Sequence, residues 1–197
     1  MHAPKAILIS GSPRPRGNTA SALGIAKDAL SAAGYDTEMI QLSQLNFGSC
    51  IACEMCRADK ACTGVTDDLT PIYDRLLAAD LWVVGSPVYN YNVTSWMKAF
   101  IDRLYCFYDY EDTHPRAWSS RLSGLGKHSI VVAVAEQLSD EDVGFAVEAL
   151  TRPLDALGVS TIGSFLFRGY FGPNALKEDT DRVARFTGEI AAAIQQL

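Results

Sequence analysis

The sequence predicts a three-layer α/β fold: a five-stranded parallel sheet of order 2-1-3-4-5 with helices on both faces. Short aliphatic runs end at glycine or serine, segments of helical period lie between them, and the two alternate strictly, five times over. Such alternation leads to a parallel sheet, because right-handed crossovers leave few other arrangements.

Lys5-Ala-Ile-Leu-Ile-Ser10 is the first strand, apolar at successive positions as in a strand buried on both faces. From Thr19 to Ala33 the residues Ala22, Leu23, Ala26 and Leu30 recur at helical spacing, with Asn18 or Thr19 as the expected cap and Gly34 as the stop. Thr37 to Leu42 suits the second strand. A long cysteine-bearing loop over about 48–64 follows, then a helix capped by Asp67 or Asp68 and ending near Ala79. Leu81 to Ser86 is the third strand, and a helix from about Thr94 to Leu104 follows a Pro-Val-Tyr loop. Ser129 to Ala135 and Val159 to Phe167 are the fourth and fifth strands, followed by helices over about Asp140–Leu157 and Ala175–Gln195.

Residues 105–127 do not fit the repeat. Tyr105, Phe107, Tyr108, Tyr110 and Trp118 are interleaved there with Asp, His, Pro and Arg, which reads as an insertion within one domain spanning 1–197. It can cover a cofactor, form a dimer contact, or simply pack beneath a long loop. In a sheet of this order a ligand sits beyond the carboxyl ends of strands one and three, where the loops at 11–19 and 86–93 meet.

With 48% hydrophobic residues in 197, the chain can bury a core without disulfides. A formal charge of −6 argues against nucleic acid or an anionic membrane as partner, since both require a basic footprint. The N-terminal apolar stretch is too short for a secretory segment, and no run approaches the roughly 18 apolar residues of a membrane helix. A cytoplasmic location is the expectation.

Gly11-Ser-Pro-Arg-Pro-Arg-Gly-Asn-Thr19 joins a buried strand to a helix, so backbone N–H groups and the helix dipole converge on one point suited to a phosphate. Five residues separate its glycines and Asn18 stands where a triphosphate-binding loop needs Lys, so the pattern suits a terminal monophosphate such as that of FMN. The loop resembles the G-S-P-R-x-x-G-N-T signature of the NADPH-dependent FMN reductase and iron-sulfur flavoprotein families, within the flavodoxin-like superfamily. The similarity runs from Ile7 to about Arg103 and includes Gly85-Ser-Pro-Val-Tyr89 and Lys98-Ala-Phe-Ile-Asp-Arg103. It implies that Ser12, Arg14, Gly17, Asn18 and Thr19 hold the FMN phosphate and that Pro87, Val88, Tyr89 and Asn90 line the isoalloxazine. A flavin needs donors near its polar edge and a flat apolar wall, which such a turn offers. Ala135-Glu-Gln137 should reach the same ligand. Tyr91 suits packing as well as stacking, and Lys98, Asp102 and Arg103 read as a charged helix end rather than as catalytic groups.

Four of the five cysteines are crowded as C-x2-C-x2-C-x5-C at Cys50, Cys53, Cys56 and Cys62. Such a run can wrap one cubane, whereas structural zinc prefers two separated C-x2-C knuckles. The spacing resembles the compact motif of iron-sulfur flavoproteins, which implies these four as ligands of a [4Fe-4S] cluster beside FMN. Zinc, packed free thiols, or disulfides formed after oxidation are the other readings. Cys106, in an aromatic context, reads as a packed thiol.

Together these readings describe an FMN-dependent oxidoreductase drawing electrons from NAD(P)H or a ferredoxin-type protein and passing them to a small-molecule or protein acceptor. No side chain is assigned a catalytic role, because hydride transfer to a flavin needs positioning more than acid-base chemistry. The alternatives are an NAD(P)H-dependent quinone or nitro-compound reductase without a cluster, and a non-catalytic redox carrier or thiol sensor. The resemblance also implies a homodimer or dimer of dimers, with the aromatic insertion as a contact.

Overall fold

The computed structural model describes residues 3–197. Its sheet contains β1 (Lys5–Ser10), β2 (Asp36–Gln41), β3 (Leu81–Pro87), β6 (His128–Val134) and β7 (Ser160–Phe167), in the order β2-β1-β3-β6-β7. Every neighbouring pair is parallel. The two strands between β3 and β6 in the chain, β4 (Tyr108–Tyr110) and β5 (Trp118–Ser120), form a separate antiparallel pair. With that insertion set aside, the order is the expected 2-1-3-4-5.

The core explains why the strands read as unbroken apolar runs. In β1, Ala6 and Leu8 pack with α1 (Asn18–Ala32) and α8 (Thr180–Ile194) on one face. Ile7 and Ile9 pack on the other face with α3 (Ile72–Ala78), α4 (Ser95–Arg103) and α6 (Ala146–Ala156). Successive side chains leave a strand on opposite sides, so a sheet covered on both faces needs apolar residues at every position.

Several boundaries differ from the sequence reading, each for a local reason. The cysteine segment contains a short helix, α2 (Met55–Asp59), bounded by Glu54 and Lys60 in the left-handed region at φ 57° each. Neither Asp67 nor Asp68 caps α3, which starts at Ile72: Asp67 pairs with Arg103 and accepts from the Leu69 N–H in the turn before the helix, and Asp68 accepts from the Asn46 N–H. The expected helix over 140–157 is two, α5 (Asp140–Val143) and α6, broken at Gly144 with φ +58°. A Cβ at Gly144 would lie 2.4 Å from the Tyr91 carbonyl oxygen, so the break seats the chain against the loop after β3. The last helix is likewise divided into α7 (Ala175–Glu178) and α8. Asp179 stands between them and accepts from the Arg182 N–H at 3.0 Å. Among the described residues no helix is long and apolar enough to cross a membrane.

Where β1 ends, the chain has little room. Gly11 donates its N–H to the Gly85 carbonyl at 2.7 Å, and a Cβ on it would lie 2.7 Å from the Met97 Cβ, an atom fixed by the α4 backbone. Gly11→Ala should therefore lower stability by about 1–3 kcal/mol, read as a lower urea midpoint at unchanged slope. Gly188→Ala, on an exposed turn of α8 with open space around the new Cβ, should shift the midpoint the other way by about 0.4–1 kcal/mol.

Candidate functional site

The first turn of α1 is buried, with Asn18 8%, Thr19 2% and Ala20 8% exposed. Its N-cap is Gly17, which has no side chain to offer. The first N–H to find an acceptor at the helix start is that of Ser21, which donates to the Gly17 carbonyl at 2.9 Å. The preceding N–H groups lack intrahelical acceptors by the geometry of any helix. Neither Asn18 nor Thr19 acts as the expected cap. The loop leading in is held curved by Ser12, whose Oγ accepts from the Arg14 N–H at 3.1 Å and whose O–H donates to the Arg14 carbonyl at 3.2 Å. The result is a cup of inward-facing donors at the positive end of a 15-residue helix.

Across from this cup lies the turn after β3. Tyr89 and Asn92 exchange both backbone hydrogen bonds, at 2.8 and 3.0 Å, while Asn90 and Tyr91 sit at φ 46° and 62°. Two left-handed residues in succession make a tight two-residue turn. It leaves the rings of Tyr89 and Tyr91 exposed, so neither is ordinary core packing. The two loops are latched together by the buried Thr94. Its hydroxyl donates to the Gly11 carbonyl at 2.6 Å and caps α4 by accepting from the Met97 N–H at 3.2 Å.

One hollow of about 120 Å³ is lined by Ser12, Arg14, Gly17, Asn18, Thr19, Pro87, Val88 and Tyr89, together with Val134, Glu136, Tyr170 and Phe171. A second, of about 270 Å³, shares Val88 and Glu136 with it and adds Asn90, Tyr91, Ala135, Gln137 and Asp142. All nine residues expected to meet the flavin thus lie on two adjoining hollows at the carboxyl ends of β1, β3 and β6. Asn18 is there in a different role: its amide N–H groups donate to the Tyr170 and Gly172 carbonyls at 3.2 and 3.0 Å. Its Oδ1 accepts from the Leu176 N–H at 3.1 Å.

The cysteine loop encloses a cavity of about 240 Å³ lined by Cys50, Cys53, Cys56 and Cys62, with Gly64, Val65, Arg103, Tyr105 and Cys106. Burial first, and then the neighbouring Cys62, Cys53 and Cys50, push the Cys56 thiol up, so the four sulfurs lie within electrostatic reach. A Cβ at Gly64 would come within 2.2 Å of the Cys53 sulfur, so only glycine leaves that sulfur its place. All five thiols are free. Among the described residues no group of three or more His, Cys, Asp or Glu side chains is arranged to hold a metal ion. Cys106 is buried as expected, and burial, followed by the charges of Cys62 and Cys56, pushes its thiol up to about 12.

This loop is closed at its base by a buried ion pair. Arg103, 1% exposed at the end of α4, donates to Asp67 Oδ2 at 2.8 Å, to the Gly48 carbonyl at 3.0 Å and to the Tyr73 hydroxyl at 3.1 Å. Asp67 also accepts from the Gly48 N–H at 3.2 Å, so both ends of the loop meet at one carboxylate. Burial alone would raise the Asp67 pKa, but the hydrogen bond from Arg103 and those from backbone N–H groups bring it below the ordinary value. The insertion folds over the same loop rather than over the cleft. Lys60 pairs with Asp109 at 2.6 Å, Arg57 with Asp112 at 2.9 Å and Arg116 with Glu54 at 3.0 Å. Tyr105 and Tyr110 stack at 5.0 Å beside the cavity.

The model of the NADPH-dependent FMN reductase family matches residues 4–171, most of the chain. The chain belongs to that family. An iron-sulfur flavoprotein of Archaeoglobus fulgidus is 29% identical over 97% of this chain and 80% of its own length. Another, from Methanocaldococcus jannaschii, is 39% identical, but over 50% of this chain and 51% of that protein, so the closer likeness spans about half of each. An NAD(P)H:quinone oxidoreductase of Methanothermobacter marburgensis has the same fold, with a TM-score of 0.68 at 18% identity over 96% of this chain and 98% of that one.

For this member of the FMN reductase family, Glu136 and its neighbours Ala135 and Gln137 line the hollows as expected, while Thr94, Tyr170, Phe171 and the Asp67–Arg103 clasp are parts of the site that the sequence did not announce. Tyr170 and Phe171 follow the fifth strand on the same sheet edge, which was the available signal; the clasp carries no local signal, because its partners are 36 residues apart. Removing one partner of a buried pair leaves the other charge stranded, so Asp67→Asn should lower stability at pH 7 by about 3–5 kcal/mol. Because the folded pKa of Asp67 is lowered, its contribution is fully present above the unfolded value of about 3.9. Denaturation from pH 7 down to 2 should therefore show the gap between the two proteins closing as the pH falls through the folded value.

Proposed function

We propose that this chain is an oxidoreductase that keeps FMN resident in the cleft at the ends of β1, β3 and β6, and that it draws electrons from NAD(P)H or a ferredoxin-type protein. The observation that carries this reading is the buried, uncapped start of α1 facing the Pro87–Asn90 turn across one hollow. Bound FMN supplies hydride acceptance at N5 and electron release in one- or two-electron steps. The chain's own part is to bind and orient. The first N–H groups of α1 and the Thr19 hydroxyl seat the phosphate, with Ser12 holding the loop curved around it and Arg14 adding charge at the rim. Pro87, Val88 and Tyr89 give an apolar wall, and the Asn90 turn offers backbone polar groups to the ring edge. The open side beyond Tyr91 and Gln137 leaves room for a donor to approach.

A [4Fe-4S] cluster held by Cys50, Cys53, Cys56 and Cys62 is the second part of the proposal. Its support is the spacing of the four cysteines, the cavity they line, the glycine beside Cys53 and the name borne by the Archaeoglobus and Methanocaldococcus relatives. A cubane offers one iron at each of four corners, so its ligands need not converge as those of a single ion do. It would supply single-electron exchange. A quinone or nitro-compound reductase with incidental cysteines is the other reading, favoured by the exposure of Cys50 and Cys53. A homodimer or dimer of dimers in the cytoplasm completes the picture.

Anaerobic isolation separates these readings. The expected protein carries flavin together with about four irons per chain, loses iron in Cys53→Ser, and shows flavin bands bleached by NADPH or by a reduced ferredoxin. Flavin-replete, iron-free protein with full activity in Cys53→Ser would leave the quinone-reductase reading, and protein that takes up no flavin would contradict both.

A further inference from the structure

Asn18 has the hydrogen-bonding capacity of any primary amide, two N–H donors and one carbonyl acceptor. Both donors are spent on the segment after β7, on the carbonyls of Tyr170 and Gly172, and the acceptor takes the Leu176 N–H. A phosphate needs donors, and this side chain has none left. The two carbonyls on one end and the N–H on the other also fix which way round the amide lies. We infer that Asn18 is a positioning residue: its side chain clasps the 170–176 segment against the phosphate loop and so places the Tyr170–Phe171 wall of the cleft, while only its backbone N–H belongs to the phosphate seat. This rests on reading the cleft as a flavin site.

The segment it holds has few other ties of its own. It leaves β7 through Gly169 at φ +80° and enters α7 through Asn174 at φ +65°. Tyr170 donates its N–H to the Ala135 carbonyl at 3.2 Å and its hydroxyl to Asp179 at 2.7 Å. Phe171 is 65% exposed, an apolar ring left at the mouth of the hollow. Asn18 reaches this segment across 152 and 154 residues of chain, from a helix start packed into the core, and is 8% exposed. It therefore ties the wall of the cleft that bears Phe171 to a helix start packed into the core.

The clasp and a phosphate contact make opposite predictions for flavin choice. Phe171 has no donor, and the Tyr170 hydroxyl is committed to Asp179, so what this wall gives a flavin is given alike to FMN and to riboflavin. Asn18→Ala should weaken both flavins by a similar factor, about tenfold, the equivalent of one or two lost hydrogen bonds. Arg14→Ala, at the phosphate rim, should weaken FMN alone.

The test is titration of flavin-free protein with FMN and with riboflavin for wild type, Asn18→Ala, Phe171→Ala and the double variant, together with hydrogen exchange of the unliganded proteins. The expected result is an unchanged FMN-to-riboflavin ratio in Asn18→Ala, no further loss in the double variant, and faster exchange over 168–176. Asn18→Ser, which keeps a residue suited to a helix start, serves if the alanine variant does not fold. Selective loss of FMN, independent multiplying effects of the two substitutions, or unchanged exchange over 168–176 would each overturn the clasp. If the wild type binds neither flavin, the flavin reading itself fails, and the exchange result alone decides whether the clasp exists.

Discussion

A helix of fifteen residues begins inside the protein with no side chain to satisfy its first N–H groups, and the top of the sheet is organised around that deficit. Buried donors without acceptors are unfavourable by about 1–3 kcal/mol each, and in the proposed reading the flavin phosphate is what satisfies them. The sheet order makes the arrangement possible: β1 lies between β2 and β3, so the loops leaving β1 and β3 run out over the same gap. Thr94 then fixes their separation, with its hydroxyl on the Gly11 carbonyl. Close approach is bought with glycine at positions 11 and 85, where a side chain would meet Met97 or Leu23.

The helix α4 links the cleft to the cysteine loop. Its N-cap, Thr94, holds the loop after β1, and its last residue, Arg103, holds the base of the cysteine loop through Asp67 and Gly48. These ends are about 13 Å apart along the helix axis. One rigid element therefore sets the relative position of the cleft and the cysteine loop, and the insertion, strapped to that loop by ion pairs at the surface, is anchored in the main core by Phe107 and Leu122.

Much of this was legible in the sequence because it depends on local period and on spacing. The strands of the main sheet, their order and the meeting of loops 11–19 and 86–93 follow from alternation and handedness, and nothing at longer range overrides them. Long-range polar partners were not legible. Asp67 looks like a helix cap and Arg103 like a solvated helix end until the chain brings them together across 36 residues. Asn18 looks like a phosphate donor until Tyr170 and Gly172 take its amide. The helix break at Gly144 is similar, since it serves a contact with Tyr91 in a distant loop, whereas the break at Asp179 serves a nearer partner, Tyr170, nine residues before it.

The account turns on the first N–H groups of α1 being completed by the phosphate of FMN. Amide NMR of flavin-free protein titrated with FMN observes them directly. The account predicts that the N–H resonances of Asn18, Thr19 and Ala20 move strongly downfield and become protected from exchange at one equivalent of FMN. Saturable FMN binding that leaves these three resonances in place would contradict it.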